Sequence, residues 1–247
     1  MTDIASHRGG ALLWPENSRT AFENTAKLSV DEVEFDIHPT RDGKLVVIHD
    51  ATLDRTTDGT GPVCEKSFAE LSRLTLKGSS GDHILLIDEV IEIFRPTPIK
   101  LRVEIKAGPG RKPYPGSARQ IALVLGERKM LERAILTSFQ LDTVREAVAH
   151  GRPWRHVWLA TPDLQTDLGI ASLCGIAKLH GVPMLGIRWD RLDASIVREV
   201  RAAGLGLGGW AANDQTAIGR MLALGVDVFT TDRPDLALKA RDAIGKR

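Results

Sequence analysis

Cysteine is scarce: Cys64 and Cys174 are the only two in 247 residues. Two thiols that far apart offer neither a metal-finger spacing nor a disulfide framework. Long hydrophobic runs are also missing. No stretch of about 18 apolar residues occurs, so no membrane-spanning helix and no stable membrane insertion are expected. Neither sign of charge is in excess, since 33 Lys and Arg face 32 Asp and Glu. That balance argues against a general polyanion binder and so against a nucleic-acid partner. The opening stretch M-T-D-I-A-S-H-R-G-G has neither the charged start nor the apolar centre of a secretory signal. A cytoplasmic protein with reduced thiols is the expectation.

What the chain does contain is alternation. Short apolar runs at 4–9, 33–38, 101–106, 134–139, 156–161, 184–189, 205–211 and 226–231 read as strands. Helical patterns lie among them at 18–28, 117–131, 163–180, 193–203 and 215–224. Asp193 and Asn213 stand where N-caps belong, and Gly204 and Gly225 where helices end. Such alternation means an α/β fold with a parallel sheet wrapped by helices. Eight strands in about 250 residues is the size of a (β/α)8 TIM barrel, although an open doubly wound sheet shares the rhythm. No Pro/Ser linker or compositional break divides the chain, so residues 1–247 read as a single domain.

Residues 45–50 do not fit the count. They follow the second strand too closely for a parallel crossover, and Asp42-Gly43 between them is a hairpin signal. A β-hairpin arm after strand 2 is therefore expected, with His49 returning opposite Asp36.

The same stretch, V-E-F-D-I-H, carries two acids inside a strand. Residues two apart share a face, so Glu34 and Asp36 project together while Val33, Phe35 and Ile37 face the helices. L-R-V-E-I-K repeats the pattern with Glu104 and Lys106. In a barrel such side chains converge near the C-terminal strand ends. Like charges that close disfavour one another's ionisation unless a cation sits among them. All-oxygen ligands suit one hard divalent cation, Mg²⁺ or Ca²⁺. The plainer alternative is a set of buried salt bridges to Lys106, Arg8 or Arg102. His7 and His49 at neighbouring strand ends shift the balance toward a site. His7-Arg8-Gly9-Gly10 adds a proton carrier, a fork suited to phosphate, and glycines that allow close approach.

Taken together, H-R-G-G (7–10), P-E-N-S (15–18), the 33–50 stretch, and T-L-D-R-T-T-D-G-T-G (52–61) resemble the glycerophosphodiester phosphodiesterase family in a short, cytoplasmic bacterial-type form. E-I-K (104–106), S-F (138–139), W-A-A-N (210–213) and T-D-R-P (231–234) follow in the family's order. The resemblance implies a TIM-barrel enzyme that cleaves small glycerophosphodiesters to sn-glycerol 3-phosphate and an alcohol. It makes His7 and His49 the acid–base pair and Glu34, Asp36 and Glu104 the ligands of a divalent metal. Arg8 and Lys106 become phosphate-binding cations, and Trp210 an aromatic of the substrate pocket. Two departures stand out. I-L-L-I-D-E at 84–89 lacks the family's Pro-Thr, and W-A-A-N replaces W-T-V-N, trimming the pocket wall. Phospholipase D-type hydrolysis of lysophospholipids is an alternative, and a non-catalytic phosphodiester-binding barrel is another of a different class. A homo-oligomer is possible.

Other features carry plainer readings. Gly204–Gly209 satisfies G-x-G-x-x-G, but it leads into a strand and does not open a helix, the wrong context for a dinucleotide. Asp163 is expected to cap a helix. His38 is either near the metal or solvent-exposed on the arm. Asp50 either orients His49 or caps a turn. Glu16 and Asn17 are expected to order a loop near the metal. The loop at 108–116 is expected over the site, with Arg111, Lys112 and Tyr114 either touching the substrate's alcohol or, on the plainer and preferred reading, lying in a solvated loop.

Overall fold

In the computed structural model, which describes residues 1–245, the strand–helix rhythm closes on itself. The barrel strands are β1 (Asp3–Ser6), β2 (Glu32–Pro39), β5 (Lys100–Ile105), β6 (Ala134–Ser138), β7 (Arg155–Ala160), β8 (Met184–Arg188), β9 (Gly206–Trp210) and β10 (Val228–Thr231). They pair in parallel in that order, and β1 bonds both β10 and β2, which closes the ring and excludes the open sheet. The helices packed outside include α1 (Arg19–Thr25), α3 (Ile87–Phe94), α4 (Ser117–Glu127), α5 (Leu141–His150), α6 (Pro162–Leu179), α7 (Ala194–Ala202), α8 (Gln215–Leu224) and α9 (Pro234–Gly245). The outward residue of each strand pair buries itself under these helices, as Val33, Phe35 and Ile37 of β2 do against Phe22 and Phe94.

The inward set is mixed. Ala5, Ile135, Val157, Leu159, Met184 and Val228 form an apolar plug inside the barrel. Beside it lies a fully enclosed ion pair, Arg102 Nε to Glu32 Oε2 at 2.7 Å.

The expected hairpin is present but larger. β3 (Leu45–Val47) runs antiparallel to β2, and β4 (Leu85–Leu86) antiparallel to β3. Between them, short helix α2 (Phe68–Leu71) and loops gather Val46, Ile48, Leu53, Val63, Leu71, Leu76 and Ile84 into an apolar cluster of their own. The register differs from expectation by one residue. Ile37 pairs with Val47, and Ile48 N donates to the Asp36 carbonyl, so Ile48 and not His49 lies opposite Asp36. The turn is longer than two residues: Thr40 N donates to the Lys44 carbonyl while the Thr40 carbonyl accepts from Gly43 N, which shifts the return.

Three end signals also differ. β1 stops at Ser6, because Arg8, Gly9 and Gly10 all take left-handed φ values of 50°, 77° and 92°. A Cβ on Gly9 would sit 2.8 Å from that of Ala21, so this tight turn requires glycine there. Helix α8 is capped by Asp214 instead of Asn213, and α6 by Thr161 instead of Asp163. Asp193 caps α7 as expected, donated to by the Ser195 and Ile196 amides.

Candidate active site

Strand alternation and register together build the centre. Asp36 and Glu104 are direct neighbours across β2 and β5, and Glu34 is one inward step below Asp36. One carboxylate oxygen from each of Glu34, Asp36 and Glu104 lies within 4.8 Å of the others, and all three residues are buried.

The cations expected nearby are there. Lys106 Nζ is 2.6 Å from Glu104 Oε1 and 3.4 Å from Asp36 Oδ1. Arg8 Nε lies 3.4 Å from Asp36 Oδ2, and its backbone amide donates to Glu34 Oε2 at 3.0 Å. Asn17 Nδ2 donates to Asp36 Oδ2 at 2.8 Å, which ties the P-E-N loop to the cluster. Arg102 is not among these partners, since Glu32 holds it one layer deeper. Two cations against three acids leave the set short of positive charge. Burial, reinforced by the charge on Asp36, pushes the Glu34 carboxyl up to about 8. Burial also opposes ionisation of Asp36, but Lys106, His49 and Arg8 outweigh it and hold that carboxyl well below the usual range.

Each histidine is gripped by a carboxylate through Nδ1. His7 Nδ1 donates to Asp232 Oδ1 at 2.5 Å, while its Nε2 lies 3.8 Å from Glu34 Oε2. Burial works against a proton on His7, yet Glu34 and the Asp232 bond win and raise its pKa. Asp232 is itself fixed by Asn213, whose Nδ2 donates to Oδ2 at 2.5 Å and whose Oδ1 accepts from the Asp232 amide at 2.8 Å. His49 Nδ1 donates to Asp50 Oδ1 at 2.6 Å. Arg55 braces Asp50 from behind and also holds Glu16, which accepts from Arg8. So Asp50 orients His49, settling a choice the sequence left open.

His38 is completely buried, which rules out the solvent-exposed option. Its Nε2 donates to the His49 carbonyl at 3.1 Å and its Nδ1 accepts from Tyr114 Oη at 3.2 Å. Burial lowers its pKa to about 4, so it stays neutral and holds the His49 backbone. Tyr114 is thereby committed to His38, whereas Arg111 borders an open groove beside His49 and Lys106. Trp210 meets Phe139 edge-on, with ring centroids 5.5 Å apart. His7, Arg8, Glu34, His49, Glu104 and Lys106 all border one cavity of about 240 Å³, and Trp210 forms part of its wall.

His7, Arg8, Glu34, Asp36, His49, Glu104, Lys106 and Trp210 thus lie together around one cavity and the acidic cluster at its edge. Asp232 was not singled out individually, and Asn213 only as a helix cap. Both lay inside motifs, T-D-R-P and W-A-A-N, but the link from His7 to Asp232 spans 225 positions and no local spacing signals it.

Comparison with known proteins gives the chain its family. The model of the glycerophosphoryl diester phosphodiesterase family matches residues 7–236. This chain belongs to that family. Membership makes it a phosphoric diester hydrolase. It is 29% identical to a glycerophosphodiester phosphodiesterase of Caldanaerobacter subterraneus subsp. tengcongensis, over 95% of each chain. A glycerophosphodiester phosphodiesterase of Bacillus altitudinis is 30% identical, over 98% of this chain and 99% of its own length. A crystal structure of a glycerophosphodiester phosphodiesterase from Agrobacterium tumefaciens str. C58 superposes with a TM-score of 0.78 at 27% identity, covering 96% of this chain and 99% of that one. Among the described residues no helix is long and apolar enough to cross a membrane.

Proposed function

We propose that this member of the family hydrolyses small glycerophosphodiesters to sn-glycerol 3-phosphate and an alcohol, with a divalent cation, Mg²⁺ or Ca²⁺, at the carboxylate cluster. The observation that carries the reading is the pairing of two carboxylate-held histidines with a buried acidic triad and two cations around one cavity. The residues fit a hard cation. The donors are all oxygen, and buried Glu34 Oε1 and Asp36 Oδ1 have no hydrogen-bond partner among the described residues. Glu34, Asp36 and Glu104 would hold it. A divalent cation bound there supplies charge neutralisation at a non-bridging phosphate oxygen.

The chain's own residues account for the rest. Arg8 and Lys106 offer positive charge to the remaining phosphate oxygens as charge builds. With Nδ1 engaged, each histidine presents Nε2 for proton transfer. One removes a proton from the nucleophile and the other protonates the leaving oxygen. A silent binding barrel has no use for two histidines each fixed in one tautomer by a carboxylate.

The test is glycerol 3-phosphate release from a panel of glycerophosphodiesters and a lysophospholipid, with EDTA and with Mg²⁺ or Ca²⁺ restored. Cation-dependent release from glycerophosphocholine or glycerophosphoethanolamine is expected. Release from no substrate with either cation would sink the proposal.

Two further results are expected. Asp232→Asn should lower kcat by about 10- to 100-fold with KM nearly unchanged, because the partner that orients His7 is lost while the phosphate site stays. An unchanged kcat in steady-state assays would deny Asp232 that role. Second, titrating Mg²⁺ or Ca²⁺ into chelator-treated protein at about pH 7 should release close to one proton. Glu34, raised to about 8, keeps its proton there and must give it up. The sign for stability follows: a carboxyl raised in the folded state favours that state at low pH and loses this contribution as pH rises through about 8. The bound cation should therefore raise the melting temperature more at about pH 8 than at about pH 6. Calorimetry in two buffers of different ionisation enthalpy, with thermal melts, reads both effects.

A further inference from the structure

One motif takes no part in the proposed chemistry: T-L-D-R-T-T-D-G-T-G, residues 52–61. Its fold explains its residue types. Leu53 is buried in the apolar cluster between β3 and β4 and anchors the loop there. The Thr57 amide and hydroxyl both donate to the Leu53 carbonyl, at 3.0 and 2.8 Å, and the same hydroxyl accepts from the Gly59 amide. Asp54 Oδ2 accepts from the Gly61 amide at 3.1 Å, which ties the far end of the turn. The loop so held presents Arg55, whose side-chain hydrogen bonds all go outside it. Nε and Nη2 donate to Asp50 Oδ2 and Oδ1 at 2.7 and 3.0 Å. Nη1 and Nη2 donate to Glu16 Oε2 and Oε1, both at 2.8 Å. Two carboxylates gripped along two edges of one planar fork is a geometry open to arginine and closed to lysine, whose donors radiate from a single atom.

We propose that Arg55 is a positioning residue that couples the His49 proton carrier to the Arg8 phosphate site, by locking Asp50 and Glu16 into one unit. The inference rests on the hydrolase reading above. Its two carboxylates belong to different parts of the protein. Asp50 follows β3 and fixes His49 Nδ1, whereas Glu16 lies in the loop after β1 and accepts from Arg8 Nη1 at 3.1 Å. The pairing of β2 with β3 stops short of His49, since its last bond runs from the Ile48 amide to the Asp36 carbonyl. Beyond that point His38 holds the His49 backbone and Asp50 holds the ring. Asp50 sets the ring only as firmly as it is itself set, and Arg55 sets it. A proton carrier must face a phosphorus whose place Arg8 helps to fix, and a misplacement of about 1 Å can cost about 100-fold in rate. The bridge also gives Glu16, which has no bond to His49, a share in aligning it. Fold stability is a lesser part of its role: 48% of the Arg55 side chain is exposed, and exposed ion pairs contribute little.

The test is steady-state kinetics on glycerophosphocholine, with thermal melts of each variant. Arg55→Met is expected to lower kcat by about 10- to 100-fold, with KM within a few-fold of wild type and the melting temperature nearly kept. Arg55→Lys retains the charge and should fall almost as far, because an ammonium cannot hold both carboxylates in one fork. A double-mutant cycle with Glu16→Gln separates coupling from two local roles. Alone, Glu16→Gln should lower kcat by about 10-fold, and in the Arg55→Met background by only about 2-fold, because the path to His49 is already cut. Should Arg55→Met not fold, Arg55→Lys takes its place in the cycle. An Arg55 variant with kcat within about 2-fold of wild type, a loss that falls on KM alone, or effects of the two substitutions that simply add would overturn the inference and leave the hydrolase reading intact. Inactivity of the wild type on every glycerophosphodiester would instead overturn that reading and this inference with it.

Discussion

His7→Ala is expected to lower kcat by about 10²- to 10⁴-fold, with KM within a few-fold of wild type. Three observations converge on that size. His7 is held in one tautomer by Asp232, its Nε2 lies 3.8 Å from Glu34, and His49 is committed to a different carboxylate, Asp50. The same loss is expected for His49→Ala. Under the proposed mechanism the two act as one proton-transfer pair, so the double variant should fall little below the worse single one. Steady-state kinetics on glycerophosphocholine decides it. A variant that keeps near-normal kcat removes its residue from the chemistry.

Asp36→Ala should be the most damaging single change to stability, by about 3–5 kcal/mol. Its side chain is wholly buried and meets Lys106, Arg8 and Asn17 at once. Deleting it strands cationic groups in a low-dielectric interior, which costs far more than the original pairing gained. Activity should vanish as well, since the proposed cation site loses one of its three carboxylates. Denaturant unfolding with and without Mg²⁺ gives the readout. A loss below about 1 kcal/mol would show that Arg8 and Lys106 find adequate partners in Glu16 and Glu104.

Much of this was legible in the chain. Alternation within β2 and β5 put Glu34, Asp36, Glu104 and Lys106 on one face, because strand periodicity is local and strict. Barrel order followed from the strand–helix rhythm for the same reason. What escaped was non-local or depended on one residue of slack. The Asp232 clasp on His7 joins the chain's two ends. The register of β3 turned on the extra residues in its turn, and Asn213 does not cap α8 because its side chain is bonded to Asp232, leaving the cap to Asp214. G-L-G-L-G-G fits a nucleotide fingerprint until the strands show Gly208 facing the barrel interior beside Gly186 and Gly209 packed against Met221 of α8.

The extension that bears β3, β4 and α2 has a consequence of its own. Its own apolar cluster covers only one side of it: Leu45 and Val47 of β3 and Leu85 of β4 pack into the cluster beneath the barrel helices. The strand that leads to His49 is therefore anchored in the same core as the strand that leads to His7, which buries Ile4 there. Local opening is confined to α2 and the loops beyond that anchor. Activity and structure should melt together, since the two histidines part only when the barrel itself gives way.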